Sequence, residues 1–272
     1  MHDLTCIVHN FNRANFLKKC LNSIFNQDTK YRFQIIVIDD CSTDGSEGVA
    51  LKISKKFPMV PFNFFKTEKN TGIGKKAAIS LKSEIDEIFH CKYFMRIDSD
   101  DFINDSDKFE QQLSILERNN DCVACCHPFY IFDKAMNKTT LCEELIQGKF
   151  DLPEIISLIG EKYTYAHTST YIYRNIYGTY LPSEFEKKGI YGDVLFNWIM
   201  LKHGSVIYTT KPMTTYTVHE IGSWSSHSDF MKHILELRSE FNLLRILPLK
   251  ISKLYFSKKC KNLIKRIRSK WM

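Results

Sequence analysis

The chain has 272 residues, of which 44% are hydrophobic and 25% are charged. This is the composition of an ordinary globular protein with one large domain and room for an appendage. Its net charge of +7 comes from the C-terminal end, because residues 1–248 hold 29 basic and 31 acidic side chains. Without a groove-reading motif, this distribution argues against nucleic acid as a partner. No stretch reaches the roughly 18 apolar residues that span a bilayer, and no basic segment opens the N-terminus, so we expect a cytoplasmic protein.

The residues before Asp98 alternate between strand-like and helix-like segments. The predicted strands are Leu4 to Val8, Phe33 to Ile38, Phe62 to Phe65 and Tyr93 to Ile97. The predicted helices are Phe16 to Phe25, Ser46 to Lys56 and Lys75 to Phe89. Within the second strand, Ile35 to Ile38 form a continuous β-branched run, which is typical of a strand buried on both faces. This order predicts an α/β fold with a mostly parallel sheet covered by helices on both faces.

Polar residues follow each of the four predicted strands. They are Asn10 to Asn12 after the first, Asp39 and Asp40 after the second, Asn70 to Gly72 after the third, and Asp98 to Asp101 after the fourth. Ligands of open α/β sheets bind at the carboxyl ends of the strands. We therefore expect these four loops to converge on one crevice.

Neither familiar glycine-based phosphate loop is present. The segment Gly72 to Lys76 lacks the leading glycine and the hydroxyl residue of a P-loop, and no G-x-G-x-x-G follows the first strand. Phosphate is then expected to be held by a metal ion. Asp98, Asp100 and Asp101 offer the hard oxygen ligands that Mg²⁺ and Mn²⁺ take. An acidic turn alone is more often a solvated loop, but this one ends a buried strand.

The nine cysteines are an odd number and lie in apolar segments, which indicates a reducing compartment rather than a disulfide framework. Cys122, Cys125 and Cys126 raise the alternative of a zinc site. They lack a second Cys or His pair at metal-ligand spacing. The run from Cys122 to Cys126 instead predicts a buried strand.

Several segments, in order and spacing, resemble glycosyltransferase family 2, the inverting enzymes of the GT-A fold. They are residues 5–46, Asn70 to Gly72, Met95 to Asp101, Tyr191 to Trp198 and His219 to Ser223. The resemblance implies a Rossmann-like, mostly parallel mixed sheet flanked by helices over residues 1–225. Residues 1–105 would form the nucleotide-sugar-binding half and residues 106–225 the acceptor half. It further implies a nucleoside-diphosphate sugar donor, a divalent Mn²⁺ or Mg²⁺ cofactor, and a glycan or lipid-linked glycan acceptor.

The resemblance also implies roles for individual residues around the donor. Phe11 occupies the position that stacks on the base, and Asp40 the carboxylate that accepts a hydrogen bond from a pyrimidine ring N–H. The alternatives are Phe11 in the core and Asp39-Asp40 as a helix cap. Asp98 and Asp100 match metal ligands, whereas Asp101 could instead cap the following turn. The remaining implied donor-binding residues are Asn12, Arg13, Asp39, Asn70, Gly72, Asp98 and Ser99.

Two further residues match functional positions in the second half of the chain. Asp193 corresponds to the catalytic base, which would take the proton of the acceptor hydroxyl as its oxygen attacks the anomeric carbon. Since Asp193 opens an amphipathic helix, an N-terminal helix cap is the alternative. His219 matches a histidine that returns to the metal or the diphosphate, although a lone histidine is often structural.

The C-terminal segment, residues 226–272, is predicted to be a helical, basic and amphipathic extension. From Leu249 onward it holds nine basic residues and no acidic ones. Its apolar residues recur at helical spacing, which favours docking on an anionic membrane surface. The alternative is a helix that packs back on the domain with a solvated basic face. The apolar residues predicted to share one face are Ile251, Leu254, Tyr255, Leu263, Ile264, Ile267 and Trp271.

Together these features predict an inverting, metal-dependent glycosyltransferase at the inner face of a bacterial cell membrane. It would move a sugar from a UDP-sugar to a hydroxyl of a surface-glycan precursor such as capsule or lipopolysaccharide. A sugar nucleotidyltransferase would share the fold and the metal, but it should carry a glycine-rich, basic loop after the first strand. A non-catalytic glycan-binding or assembly module is the other alternative.

Overall fold

Four parallel strands form one half of the main sheet, and each contains one of the four predicted strands. Strand β1 (His2–Asn10) lies between β2 (Phe33–Asp39) and β4 (Cys91–Asp98), and β3 (Phe62–Lys66) pairs with β2.

The computed structural model describes residues 2–72, 74–142, 146–158, 166–179, 181, 192–220, 228, 230–231, 234–235, 238 and 249–257, with residues 74–76 and 192–194 described by their backbone alone.

The other half of the main sheet is mixed in direction. Strand β10 (Ile172–Arg174) is antiparallel to both β4 and β6 (Cys122–Cys126), and β11 (Ser205–Tyr208) is parallel to β6. Strand β9 (Gly148–Phe150) closes this edge. The order is therefore β3-β2-β1-β4-β10-β6-β11-β9. This confirms the prediction of a mostly parallel, mixed sheet.

A second sheet of four strands carries residues of the site described below. It consists of β5 (Phe102–Ile103), β7 (Phe129–Asp133), β8 (Lys138–Leu141) and β12 (Thr214–Val218), in the order β5-β12-β7-β8. Strand β12 is antiparallel to β5 and parallel to β7. Because β5 follows the acidic loop after β4 almost at once, this pairing brings the end of β12 back to that loop.

Helices cover both faces of the main sheet. One face carries α1 (Ala14–Phe25), α2 (Ser46–Ser54) and α5 (Lys108–Arg118), and the other carries α3 (Gly74–Ser80), α4 (Lys82–Ile88), α6 (Leu152–Leu158) and α7 (Gly192–Leu201). The prediction of one helix from Lys75 to Phe89 is wrong. The chain leaves helical geometry at Leu81, whose φ and ψ of −104° and 14° separate α3 from α4.

Two apolar clusters, one on each face, hold the helices on the sheet. Along β1, Leu4, Cys6 and Val8 pack into one cluster, whereas Ile7 packs into the other. This alternation is what burial on both faces produces, because successive side chains of a strand point to opposite sides.

Strand β6 is also buried on both faces, which confirms the predicted buried strand. Cys122 and Cys125 pack into one cluster, whereas Cys126 packs into the other. Burial raises the pKa of the Cys125 thiol to about 12. All three cysteines are fully buried within the apolar clusters, so they act as packing residues.

Residues 249–257 are helical and pack partly on the domain. Tyr255 is 4% exposed, and its ring lies edge-on to Trp198 at 5.7 Å between centroids. Ile251 packs on the same cluster, whereas Leu254 is 41% exposed. None of the helices within the described ranges is long and apolar enough to cross a membrane. Most of the rest of the extension, and the predicted boundary at residue 225, lie outside the described residues.

Candidate functional site

The loops that follow β1, β2, β3 and β4 lie side by side, as predicted. Asn10 pairs with Asp39 in the β1–β2 ladder, and His9 pairs with Asp98 in the β1–β4 ladder. Backbone hydrogen bonds continue past the strand ends, since the Asp40 N–H donates to the Asn10 carbonyl at 2.9 Å and the Ser99 N–H donates to the His9 carbonyl at 2.9 Å. The polar residues after the strands therefore share one edge of the sheet.

Asp39 is fully buried and fixes the loop that follows it. Its carboxylate accepts hydrogen bonds from Asn10 Nδ2 at 2.6 Å, from the Ser42 N–H at 2.7 Å and from Ser42 Oγ at 2.6 Å. These donors occupy both oxygens, so Asp39 holds Asn10 and Ser42 together at the sheet edge. Neither Asp39 nor Asp40 caps α2, because the residue at that helix N-terminus is Gly45.

Asp40 joins the loop after β2 to the loop after β3. Its carboxylate accepts the Thr71 N–H at 2.8 Å, Thr71 Oγ1 at 3.0 Å and the Gly72 N–H at 3.1 Å. Gly72 has a φ of 72°, a left-handed conformation that glycine adopts without strain. Asn70 Oδ1 accepts the same Gly72 N–H at 2.6 Å. A pyrimidine N–H would share Asp40 with these donors, and that role stays a prediction.

The loop after β1 is fastened to the loop after β2. The Asn12 N–H donates to Ser42 Oγ at 2.8 Å, and Asn12 Oδ1 accepts the Thr43 N–H at 2.8 Å. Asp44 accepts the Ala14 N–H at 2.8 Å and so caps α1 from a different loop. Phe11, between these contacts, is 41% exposed. It is therefore available for stacking rather than packed in the core.

Three carboxylates crowd together after β4. One oxygen from each of Asp98, Asp100 and Asp101 lies within 4.8 Å of the others, and Asp98 is the most exposed of the three. Asp100 Oδ2 lies 3.0 Å from Arg13 Nη1 and 2.8 Å from His219 Nε2. The structure thus brings together three residues that the sequence assigned to the donor and the metal. His219 reaches Asp100 because it directly follows β12.

Asp101 is tied to β12 through its own carboxylate. Its Oδ1 accepts the Thr217 N–H at 2.9 Å, and its Oδ2 lies 3.5 Å from His167 Nδ1. Burial, with Asp100 and Asp98 nearby, raises the pKa of Asp101 well above its ordinary value. Asp101 therefore connects the two sheets, and Asp98 and Asp100 are the better placed of the three acids to meet a ligand.

Phe16 belongs to the site although its helical spacing indicated a core residue. Its ring stacks on the His219 ring at 4.7 Å between centroids and 21° between planes. The Lys134 ammonium lies 4.8 Å from the Phe16 centroid. Local sequence gives no signal for this contact, since it joins α1 to the end of β12 and to the turn after β7.

For two predicted site residues, Ser99 and Asp193, the structure shows no side-chain position that would contact a donor or acceptor. Ser99 is fully buried, so a contact between its side chain and a donor would require movement of the acidic loop. Asp193 is the second residue of α7, but its side chain lies outside the described part of the structure. Tyr191 and Ile221 to Ser223, which belong to the matched segments, also lie outside it. The roles of these residues stay predictions.

A family model described as glycosyl transferase family 2 matches residues 5–177. The chain belongs to this family. Over 176 residues it is 28% identical to poly(ribitol-phosphate) beta-N-acetylglucosaminyltransferase TarS of Staphylococcus aureus, covering 64% of this chain and 28% of TarS. It is 25% identical over 174 residues to an uncharacterized glycosyltransferase of Nostoc, covering 63% of this chain and 50% of that protein. The match thus spans about a quarter of TarS.

Solved structures of glycosyltransferases share the fold. Residues 1–349 of S. aureus TarS, in complex with UDP-GlcNAc, superpose with a TM-score of 0.61 and 17% identity, covering 94% of this chain and 72% of that one. Mannosyltransferase PcManGT from Pyrobaculum calidifontis, in complex with GDP-Man and Mn²⁺, superposes with a TM-score of 0.55 and 13% identity. The match covers 96% of this chain and 66% of that one. These likenesses confirm the expected GT-A fold.

Proposed function

We propose that this chain is an inverting glycosyltransferase that moves a sugar from a UDP-sugar to a hydroxyl of a bacterial surface-glycan precursor, such as one for capsule or lipopolysaccharide. The observation that carries the proposal is the meeting of Phe11, Asp40, Asp98 and Asp100 at one sheet edge in a family 2 chain. TarS structures in complex with UDP and with UDP-GlcNAc support a uridine donor. TarS is named for a poly(ribitol-phosphate), which supports a polymeric, hydroxyl-bearing acceptor.

A divalent ion, Mn²⁺ or Mg²⁺, fits the residues at the end of β4. Asp98 and Asp100 offer hard oxygens, and His219 Nε2 lies beside Asp100 Oδ2 at 2.8 Å. These three residues would hold the ion, while Asp101 Oδ1 is engaged by the Thr217 N–H. When bound, the ion would neutralise charge on the donor diphosphate and help it to leave.

The remaining residues would bind the donor and move the proton. Phe11, being half-exposed, would stack on the base, and Asp40 would accept a hydrogen bond from its ring N–H. Asp193 would take the proton of the acceptor hydroxyl while the oxygen attacks the anomeric carbon opposite the departing diphosphate, which inverts that carbon. Buried residues anchor the helix that carries Asp193, namely Leu195, Phe196, Trp198 and Ile199.

A thermal-shift screen tests the donor. We expect UDP with Mn²⁺ to raise the melting temperature by roughly 5 to 10 °C at 100 times its Kd, because binding to the folded state alone contributes about 3 kcal/mol there. UDP without Mn²⁺ should raise the melting temperature less than UDP with Mn²⁺. GDP, CDP and dTDP with Mn²⁺ should raise it by a still smaller amount. If no nucleotide shifted the melting temperature, the result would contradict a nucleotide-sugar enzyme. A larger shift with GDP than with UDP would indicate a GDP-sugar donor instead.

The two alternative functions predict different results. A sugar nucleotidyltransferase is disfavoured because His9 to Asn12 stand where that class needs a glycine-rich, basic loop. A non-catalytic binding module is tested by assaying UDP release from UDP-sugars with Mn²⁺. Binding without release, from any UDP-sugar and with any acceptor tried, would favour the binding module.

We infer that the basic extension holds the protein at an anionic membrane surface. Residues 258–272 contain seven basic and no acidic side chains, and Lys250 and Lys253 are exposed on the preceding helix. Leu249 and Phe256 are also exposed, by 73% and 58%. Each basic side chain near such a surface contributes about 1 kcal/mol of attraction, which falls with salt.

Truncation after Ser257 tests this inference without removing Tyr255 from the core. We expect the full chain to sediment with vesicles that contain anionic lipid, and the truncated chain to stay in the supernatant with an unchanged melting temperature. Neutral phosphatidylcholine vesicles are the control and should bind neither form. Equal sedimentation of both forms with anionic vesicles would refute membrane docking by the extension.

A further inference from the structure

Arg13 forms an ion pair with a predicted metal ligand. Its Nη1 lies 3.0 Å from Asp100 Oδ2, and the two side chains are 17% and 7% exposed. Water and salt screen such a pair far less than an exposed one. A guanidinium also cannot lose its proton in a protein, so only movement of the side chain can break this contact.

The same carboxylate oxygen of Asp100 is also contacted by a second side chain. His219 Nε2 lies 2.8 Å from Asp100 Oδ2, so this atom is contacted by a guanidinium and an imidazole together. Mg²⁺ binds oxygen ligands at about 2.0 to 2.1 Å. An ion at Oδ2 would therefore lie next to a permanent positive charge, and the two cations would repel each other.

Arg13 also supplies charge that the acidic loop needs when no ion is bound. Asp98, Asp100 and Asp101 would repel one another within 4.8 Å. In the described part of the chain, Arg13 is the only lysine or arginine that forms an ion pair with any of them. Its backbone is fixed independently, since Asn12 and Ala14 are bound to the loop after β2.

We propose that Arg13 is a counter-ion that occupies the metal's place on Asp100 and must leave when the metal enters. The proposal rests on the metal site proposed above. Its consequence is that metal and donor bind cooperatively. The donor diphosphate offers the displaced guanidinium a new anionic partner, with which it can form two parallel hydrogen bonds. Without nucleotide, metal entry leaves the guanidinium without that partner.

Metal titration of Arg13→Gln measures this competition directly. We expect Mn²⁺ to bind the variant about tenfold more tightly than the unmodified protein when nucleotide is absent, because a charge contact no longer has to be broken. Adding UDP should tighten Mn²⁺ binding in the unmodified protein and much less in the variant. Free Mn²⁺ can be followed by its paramagnetic resonance signal, which requires no activity.

Melting temperatures provide a second readout that separates competition from a structural role. Without metal, Arg13→Gln should melt lower, because three carboxylates lose their counter-ion. Saturating Mn²⁺ should then raise its melting temperature by more than that of the unmodified protein. A purely structural arginine would lower the melting temperature and leave the response to Mn²⁺ unchanged.

Arg32→Gln is the matched control, because Arg32 forms an exposed ion pair with Asp3 at 3.8 Å, and it should bind Mn²⁺ like the unmodified protein. Equal or weaker Mn²⁺ binding by Arg13→Gln, with binding intact in the control, would overturn the counter-ion proposal alone. Absence of Mn²⁺ binding in all three proteins, with and without UDP, would overturn both this proposal and the metal site on which it rests.

Discussion

Asp100→Asn is expected to lower sugar transfer by about 10² to 10⁴, since a lost metal ligand removes several kcal/mol of charge stabilisation at the diphosphate. An amide oxygen carries no formal charge and binds Mg²⁺ or Mn²⁺ weakly in place of a carboxylate. Asp100 Oδ2 is also the atom that Arg13 and His219 both contact. UDP release from the UDP-sugar and Mn²⁺ titration of the same protein samples measure both effects.

Asp107→Asn is the matched control for this substitution. Asp107 is exposed, lies at the beginning of α5 and makes no side-chain cap hydrogen bond, so its amide should leave transfer and Mn²⁺ binding unchanged. Excess Mn²⁺ should recover part of the activity of Asp100→Asn if weakened metal binding is the cause. Transfer at the unmodified rate, with Mn²⁺ binding intact, would contradict the assignment of Asp100.

The parallel half of the main sheet could be predicted because its strands carry their own signal. The predicted segments of β1, β2 and β4 are mostly apolar, and polar residues mark where each strand ends. The second sheet carries little such signal. Strand β5 has two residues, every residue of β8 is exposed, and β12 is rich in threonine. Strands β5 and β12 pair with each other although they lie far apart in the chain, which local pattern does not encode.

The candidate site likewise contains residues whose positions could be predicted from the sequence and one whose position could not. The positions of Asp98 and Asp100 follow from the end of β4, and family resemblance added His219, which the β5–β12 pairing then brings to Asp100. The direction of the Arg13 side chain could not be predicted. A guanidinium near a diphosphate site can point to the ligand or to the protein's own carboxylate, and only the packed loops decide between them.

The second large effect is expected at Asp193. We predict that Asp193→Asn lowers turnover by about 10² to 10⁴, whereas UDP affinity persists, because the amide cannot take the proton of the acceptor hydroxyl. Initial rates at saturating donor and acceptor, together with UDP titration, measure the two quantities. A loss of donor affinity as large as the loss of turnover would contradict an acceptor-side base.

Asparagine is the informative replacement for Asp193 because it can still cap a helix, which is the alternative role of this residue. Asp193 is the second residue of α7, and asparagine caps a helix about as well as aspartate does. If Asp193 only capped the helix, Asp193→Asn would keep both turnover and melting temperature. A large loss of turnover at a nearly unchanged melting temperature therefore distinguishes the base from the cap.

Asp151→Asn provides the reference for a true cap. Asp151 Oδ1 accepts the Glu154 N–H at 2.9 Å while Glu154 Oε2 accepts the Asp151 N–H at 2.8 Å, which is a reciprocal cap at the beginning of α6. Its amide variant should change stability by less than about 1 kcal/mol, through the helix dipole alone, and leave turnover unchanged. Because both substitutions remove one negative charge at a helix N-terminus, a loss of turnover confined to Asp193→Asn would arise from proton transfer.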